Sequence, residues 1–383
     1  MPSRSSKRAA ASAAPANHLA VDLAEPSAAA TPSRRTAGRN RGGKSVSLRD
    51  VARLAKVSVA TVSMVLNDNP RISRATHLRV SRLIERLGYQ PNRLAQSLSS
   101  RYTTVLAVLV PALRHTFADA YFGELISGIC DRAGKMGYKV MLEQAKPDFI
   151  KEKKHIQIFE RRYVDGVLLL GTNDRNHYLE DFADDRYPAM VVDNYFDQWQ
   201  LDYVACDYRS GAMQVMNYLL QLGHRKIALL CAAPEIHTSR DIKQIYVQRL
   251  AAEGTTPDDT WCEDGKFTEQ GGAEATQRIL ERHPDITAIF ACNDKMAIGA
   301  LHQLSRMGIR VPQDVSVVGF DDLQHTQFIN PSLTTIHLPL YQVGVQACER
   351  LIERIRGRAE RVAETLPTHL VVRDSTAMVR SGT

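Results

Sequence analysis

The sequence has no long hydrophobic run, no paired-cysteine motif and none of the common catalytic signatures. No segment approaches the roughly 20 consecutive apolar residues that a membrane-spanning helix requires, and no apolar stretch follows the first basic residues as in a secretory signal. The chain contains no Ser-His-Asp spacing, no phosphate-binding G-x-x-x-x-G-K-[ST] and no H-E-x-x-H. These absences favour a soluble cytoplasmic protein that is not an enzyme and uses no metal or cofactor.

Cysteine is scarce and scattered. Six thiols occur without a C-x-x-C pair, at Cys130, Cys206, Cys231, Cys262, Cys292 and Cys348. They could pair or bind a metal, but small buried hydrophobic residues in a reducing cytosol are the expectation.

Excess positive charge is absent from most of the chain and is concentrated in its first quarter. Residues 1–44 carry eight Lys or Arg against two Asp or Glu, and residues 45–101 carry ten against three. Residues 102–383 carry 31 basic and 37 acidic residues, a net charge of −6. A polyanion would therefore bind the N-terminal part, although a charge run alone is also typical of a solvated face.

Residues 1–44 are rich in Ala, Ser, Pro and Arg, and are predicted to be a disordered basic tail. This tail either adds sequence-blind affinity for DNA or is a plain linker. A transit peptide is disfavoured, because Asp22, Glu25 and Pro26 interrupt an amphipathic helix.

Three short helical patterns occupy residues 45–90. The first has apolar residues at i, i+3, i+4 and i+7, namely Leu48, Val51, Ala52 and Ala55. Ser58 can cap a second helix over 59–66, and a third begins near Ser73 and stops at Gly88. Two helices of about eight residues joined by a three-residue turn predict a helix-turn-helix, whose second helix enters a major groove. A small apolar helical hairpin would give the same pattern.

After residue 102 the pattern changes to short apolar strands alternating with amphipathic helices. The predicted strands are Val105–Val110, Val167–Leu170, Ala189–Val192, Ile227–Leu230, Ala288–Ala291 and Val315–Val318. The predicted helices are Gly123–Met136, Gly211–Leu222, Gly272–Glu281, Met296–Met307 and Val343–Arg356. Such alternation predicts an α/β fold with parallel sheets covered on both faces. Because the units are too numerous for one sheet, we expect two similar lobes with a cleft between them over residues 102–383.

A family resemblance is carried by two stretches of the N-terminal part and by motifs in the rest of the chain. The first two are residues 48–63 and the motif Tyr-x-Pro-Asn-x-x-Ala-x-x-Leu over residues 89–98. The others are NDKMA at 293–297, and VGFDD at 318–322 followed by NPSLTTI at 330–336. From Ser45 onward the chain resembles the lactose/galactose repressor family. The resemblance implies a transcriptional regulator, in which a homodimer binds a palindromic DNA operator and a sugar-like effector binds a two-lobed domain similar to periplasmic binding proteins. It also implies a hinge helix and linker over 91–101. The DNA-binding candidates are Ser58, Val59, Ala60, Thr61, Ser63, Met64, Asn67, Thr76, Tyr89, Asn92, Ala95 and Leu98.

Within the hinge, the resemblance implies that Leu98 wedges into the minor groove, where an apolar side chain unstacks and kinks a base step. Alternatively, Leu98 is the last core residue of the third-helix region.

Two residues of the helix-turn-helix depart from the family's usual sequence. Met64 stands where the family usually presents an Arg to guanine, and Lys56 stands where Gly is common, which is tolerable while its backbone stays outside the left-handed region.

The resemblance places the effector among Phe122, Asp193, Phe267, Asn293 and Asp321. The carboxylates and the amide can bind the hydroxyls of a sugar, and the aromatic faces can pack against its ring. Packing alone is an equal explanation for the two phenylalanines, and loop capping is an alternative for Asp321. Ile242 occupies a position where family members usually carry an Arg, so Arg240 or Lys243 would have to supply the charge.

Three other classes compete with a regulator. A plain solute-binding protein shares the two-lobed architecture but has no N-terminal helix-turn-helix. An enzyme using Asp321 and Asp322 as a catalytic pair is disfavoured, because adjacent residues after a strand point to different sides. An architectural DNA-binding protein would discriminate little between an operator and random DNA, whereas a regulator discriminates by about 10³ or more.

Overall fold

The computed structural model describes residues 46–66, 69–89, 102–113, 116, 119–183 and 186–379. The chain divides into two compact units, residues 1–92 and 93–383. No helix within the described ranges is both long and apolar enough to cross a membrane.

The first unit is a three-helix domain built on one small apolar core. Its helices are α1 (Leu48–Ala55), α2 (Val59–Leu66) and α3 (Arg74–Leu87). Val51, Val62 and Val80, one from each helix, are completely buried against one another. The helix ends follow from local chemistry. Ser47 and Asp50 form a reciprocal capping box at the start of α1, and Gly88 ends α3 in the left-handed region at φ 58°.

The turn between α1 and α2 departs from the sequence-based expectation at one residue. Lys56 lies in the left-handed region, at φ 54° and ψ 45°, where a Cβ is disfavoured. The condition that its backbone stays outside this region is therefore wrong. The conformation lets the Lys56 amide donate to the carbonyls of Ala52 and Arg53 and turns the chain, so that Val57 N–H also reaches Ala52 O, at 3.0 Å.

The second unit begins with a lobe organised around a six-stranded, entirely parallel sheet of order β11–β5–β4–β3–β1–β2. Its strands are β1 (Val105–Pro111), β2 (Lys139–Ala145), β3 (Gly166–Leu170), β4 (Ala189–Val192), β5 (Tyr203–Cys206) and β11 (Ala363–Leu366). Its helices are α4 (Ala120–Lys135), α5 (Pro147–Lys151), α6 (Lys154–Glu160) and α11 (Leu340–Ile355). A 3₁₀ turn covers His177–Phe182. The central strands are buried along their length, as expected for a sheet covered on both faces.

The other lobe contains a four-stranded parallel sheet of order β7–β6–β8–β9. Its strands are β6 (Ile227–Cys231), β7 (Cys262–Asp264), β8 (Ala288–Ala291) and β9 (Ser316–Val318). Its helices are α7 (Tyr208–Gln221), α8 (His237–Ala252), α9 (Glu269–Arg282) and α10 (Asp294–Arg306). The antiparallel pair β10 (Thr335–His337) and β12 (His369–Val371) and the 3₁₀ turns Asp259–Trp261 and Gln324–Gln327 complete it.

Neither lobe is a continuous stretch of chain. After β5 the chain enters the second lobe at α7, returns at α11 and β11, and crosses again to β12. Helices α9 and α10 pack closely because Gly299 lies against the backbone of α9, where a Cβ would overlap Glu269 O. The prediction of two α/β lobes with parallel sheets is confirmed.

All six cysteines are free thiols. The prediction of buried thiols holds for Cys206, Cys231, Cys292 and Cys348 and approximately for Cys262, which is half-buried. It is wrong for Cys130, which α4 exposes to solvent.

Candidate functional site

The second helix of the N-terminal domain has one buried and one exposed side. Successive residues of a helix are rotated by about 100°, so Val62 and Val65 point into the core while other side chains point outward. The exposed ones are Val59, Ala60, Ser63 and Met64, which we call the reading face. This arrangement leaves the N-terminal half of α2 free for base edges, as a helix-turn-helix requires.

The hydroxyl residues among the predicted DNA contacts have local structural roles. Ser58 caps α2, since its Oγ accepts the Thr61 amide at 3.0 Å and lies 2.9 Å from Thr61 Oγ1. Thr76 lies in the first turn of α3, where its amide donates to Ser73 Oγ at 3.3 Å. Tyr89 is half-buried against the apolar core. The predicted contacts Asn67, Asn92, Ala95 and Leu98 lie outside the described residues.

The three-helix domain carries many exposed basic side chains. All of the following are exposed: Arg49, Arg53, Lys56, Arg71, Arg74, Arg79, Arg82 and Arg86. Arg53 also pairs with Asp50 at 2.9 Å. A surface with this excess of guanidinium groups attracts the phosphates of a duplex without regard to sequence.

A cavity of about 580 Å³ opens between the two lobes of the second unit. It lies at the carboxyl ends of both parallel sheets, where ligands of such folds bind. Five of the predicted effector residues line it, namely Phe122, Asp193, Phe267, Asn293 and Asp321. The sequence therefore identified residues from both lobes that the fold brings together.

Asp193 is held by protein groups on all sides. Its carboxylate accepts hydrogen bonds from the hydroxyls of Tyr121 and Tyr208, both at 2.6 Å, and from the Cys206 amide at 2.8 Å. Burial, reinforced by Asp193, raises the pKa of both tyrosines, which keeps them as hydroxyl donors. Asp193 therefore fixes β4, β5 and α4 around the cavity, and much of its acceptor capacity is already used.

Asn293 and Asp321 present polar atoms from the second lobe. Asn293 Oδ1 accepts the Met296 amide at 2.9 Å and so caps α10, and its Nδ2 lies 3.5 Å from Phe267 O. Asp321 is buried, at φ 137°, beside the buried carboxyl of Asp294. Burial, together with the charge of Asp294, raises the pKa of Asp321. Asp321 consequently holds a proton more readily than an exposed carboxyl and can donate a hydrogen bond into the cavity.

Arg240 is not among the residues that line the cavity, and its assignment as an effector contact stays a prediction. Its guanidinium pairs with Asp174 and donates to Pro234 O at 2.7 Å. Ile242, two residues further along α8 and buried, lines the cavity instead. The positive groups on the lining are Lys266 and Lys295, which sequence reasoning missed although Lys295 follows the quoted Asn-Asp motif.

A polar cluster, which we call the rim cluster, joins the lobes beside the cavity and was not predicted. Asp241 on α8 accepts from Tyr195 Oη of the first lobe and from Arg209 Nη1 at 2.8 Å. His237 lies 3.5 Å from Asp241 and 3.6 Å from Asp197 of the first lobe. The interaction with the neighbouring Asp241 carboxylate, which outweighs burial, raises the pKa of His237. Tyr195 and Asp241 are 46 residues apart in sequence and Arg209 and Asp241 are 32 apart, which explains why no local pattern revealed the cluster.

A helix-turn-helix with a basic surface, joined to a two-lobed domain with a central ligand cavity, defines a class of proteins, the DNA-binding regulators that carry a small-molecule sensor. Residues 47–92 match the family described as bacterial regulatory proteins, lacI family, and residues 216–376 match the periplasmic binding protein-like domain. The chain belongs to the LacI family and is a DNA-binding transcriptional regulator.

Relatives of known role support this assignment over most of the chain. The HTH-type transcriptional repressor CytR of Escherichia coli K12 is 33% identical, over 86% of this chain and 96% of its own. Catabolite control protein A of Priestia megaterium is 31% identical, over 86% and 99%. The solved Lac repressor dimer, bound to operator and the anti-inducer ONPF, is 28% identical with a TM-score of 0.76, over 87% and 100%.

Proposed function

We propose that this chain is a repressor that binds a palindromic operator as a homodimer, with its DNA affinity controlled by a small, uncharged, sugar-like effector. The observation that carries the proposal is the presence, in one chain, of an exposed reading face and a ligand-sized cavity between two lobes. A regulator needs both, because an effector can only shift DNA affinity if it binds the two functional states differently.

The DNA-binding part rests on the geometry of α2 and on the exposed basic side chains of the same domain. Two-fold symmetry of a dimer is mirrored in the DNA, so a palindromic site is expected. The solved Lac repressor is a dimer on its operator. The contacts proposed for the hinge residues 92–98 extend this assignment into the adjacent minor groove.

The effector part rests on the chemistry of the cavity wall. Asn293 and Asp321 offer amide and carboxyl groups for hydroxyls, and Phe122 and Phe267 offer apolar ring surface. Lys295 pairs with Asp119, and the other charged side chains of the lining, Lys266, Asp193 and Asp321, are of both signs, which favours an uncharged ligand over an ionic one. One relative with 31% identity, the regulator CelR, was solved with cellobiose.

The reading role is tested by Ala60→Arg, which places a long cation on the reading face without touching the core. We expect the variant to lose or change its preferred operator, while its thermal stability stays unchanged. Ala75→Arg adds the same charge to an exposed site on α3 and is the matched control. An unchanged footprint for Ala60→Arg, or a single asymmetric half-site for the parent, would contradict the proposal.

The sensor role is tested by screening the full chain with neutral sugars in a thermal-shift assay, since a ligand that binds the native state raises its melting temperature. Asp321→Ala should abolish the shift and the effector response while DNA binding by the unliganded protein persists. Asp259→Ala, at an exposed site of the same lobe, is the control. If Asp321→Ala retains parental ligand affinity, Asp321 is structural and the cavity assignment fails.

A further inference from the structure

The reading face of α2 is unusually apolar for a surface that contacts DNA. Taking Val59 as the origin, the 100° helical repeat places Ser63, Ala60 and Met64 within about 140° of one another on the outward side. Val59 is 42% and Met64 38% exposed, while Val62 and Val65 are buried on the opposite side. None of these four outward side chains carries a nitrogen donor or a charge.

Met64 is the longest of the four and reaches furthest from the helix. Ala60 lies one turn before it, and side chains at i and i+4 are neighbours on a helix surface. The small Ala60 methyl leaves the Met64 thioether room to extend along the helix. Together they form a continuous apolar strip on the exposed side of α2.

The major groove offers only one apolar group to such a strip. Thymine presents a C5-methyl, whereas guanine, adenine and cytosine present hydrogen-bond donors or acceptors at the edges that a side chain can reach. A thioether covering those polar edges removes water without replacing its hydrogen bonds. Against a thymine methyl, the same contact buries apolar surface on both partners.

We propose that Met64 reads the 5-methyl group of a thymine, so that the operator carries a T·A pair at the corresponding position of each half-site. This assignment rests on the proposed function, in that α2 must be the reading helix. It deepens that function by naming the base that replaces the guanine expected for an Arg at this position.

The test uses the full-length protein and duplexes selected by it from a random pool. Each thymine of the selected site is then replaced by deoxyuridine, which differs only by the missing methyl. We expect one symmetry-related pair of positions at which the replacement weakens binding about fourfold per half-site, the effect of burying one methyl group. Cytosine at that position should weaken binding further, and 5-methylcytosine should recover part of the loss.

Variants assign the effect to Met64. Met64→Ala should bind thymine and deoxyuridine equally at that pair while keeping the sensitivity of all other positions. Met64→Arg should change the preferred base there to guanine. Leu78→Ala removes an exposed apolar side chain of α3, outside the reading face, and should leave the whole profile unchanged.

The outcomes separate this assignment from the function on which it rests. A chain that selects no sequence from the pool overturns the proposed operator binding and this assignment with it. A chain that selects a palindrome whose affinity is indifferent to every thymine methyl overturns the assignment alone. So does a Met64→Ala variant that retains the full set of deoxyuridine penalties.

Discussion

Lys56, in the turn between α1 and α2, has a left-handed backbone conformation. Its substitution by Gly should therefore stabilise the three-helix domain. Lys56 closes α1 at φ 54°, whereas the equivalent position after α3 is Gly88 at φ 58°. The domain therefore contains a matched pair of left-handed helix caps, one occupied by a residue with a Cβ and one by glycine. We expect Lys56→Gly to stabilise the three helices and Gly88→Ala to destabilise them.

The magnitude follows from the backbone alone. An L-residue in the left-handed region destabilises the folded state by about 1–2 kcal/mol, and glycine removes this strain. Glycine also loses more conformational entropy on folding, which offsets roughly 0.5–1 kcal/mol of the gain. The expected net gain for Lys56→Gly is about 1 kcal/mol. Gly88→Ala should cost a similar amount, because an added Cβ there meets no atom within 4 Å and the effect is conformational.

Hydrogen exchange of the full chain measures this directly, since exchange of the Val51, Val62 and Val80 amides reports opening of the three-helix core. A gain of about 1 kcal/mol slows exchange about fivefold. Lys56→Ala retains the left-handed strain but removes the charge, so it is the control for lost electrostatics. Equal exchange rates in Lys56→Gly and Lys56→Ala, with Gly88→Ala accelerated, would refute the reasoning for Lys56.

Three further predictions concern the sensor domain. The raised pKa of His237 means that its pairing with Asp241 is fully present below about pH 6.5 and is lost as pH rises through the higher folded value. The melting-temperature difference between the parent and His237→Gln should therefore shrink from pH 6 to pH 9, and a constant difference would contradict this. Gly299→Ala should destabilise by about 1–3 kcal/mol or more in urea unfolding, because its Cβ would overlap the backbone of α9; an unchanged midpoint would show that the helices can separate. Tyr246→Phe should lose about 1 kcal/mol in the same assay, because the buried hydroxyl donates to a strand carbonyl at 2.7 Å, and no loss would mean that water replaces this bond.

Local patterns predicted the parts of the fold that are buried throughout. The run Ala288–Ala291 is apolar at every position and forms β8 with the predicted bounds. By contrast, β2 was missed because it lies at the edge of its sheet and carries Glu143 and Gln144. A half-covered strand has no continuous apolar run, and its pairing partner is supplied by distant sequence.

The cavity shows the same division between local and distant information. The family resemblance implied Asn293 and Asp321, and the fold brings them to the cavity because parallel strands place their carboxyl ends at one edge. The engagement of Arg240 by Asp174 could not be foreseen, because the two residues are 66 positions apart. Long polar side chains can satisfy their charges in several directions, and only the packed tertiary structure selects one.

The return of the chain to the first lobe has a consequence for truncated products. Strand β11 pairs with β5 at the outer edge of the six-stranded sheet, although the paired residues, such as Ala363 and Tyr203, are 160 positions apart. A nonsense or frameshift mutation before Ala363 would leave β5 with a row of unpaired backbone donors and acceptors. Such an edge is a template for intermolecular pairing. Prematurely terminated chains should therefore aggregate or be degraded, rather than persist as shortened regulators that still occupy DNA.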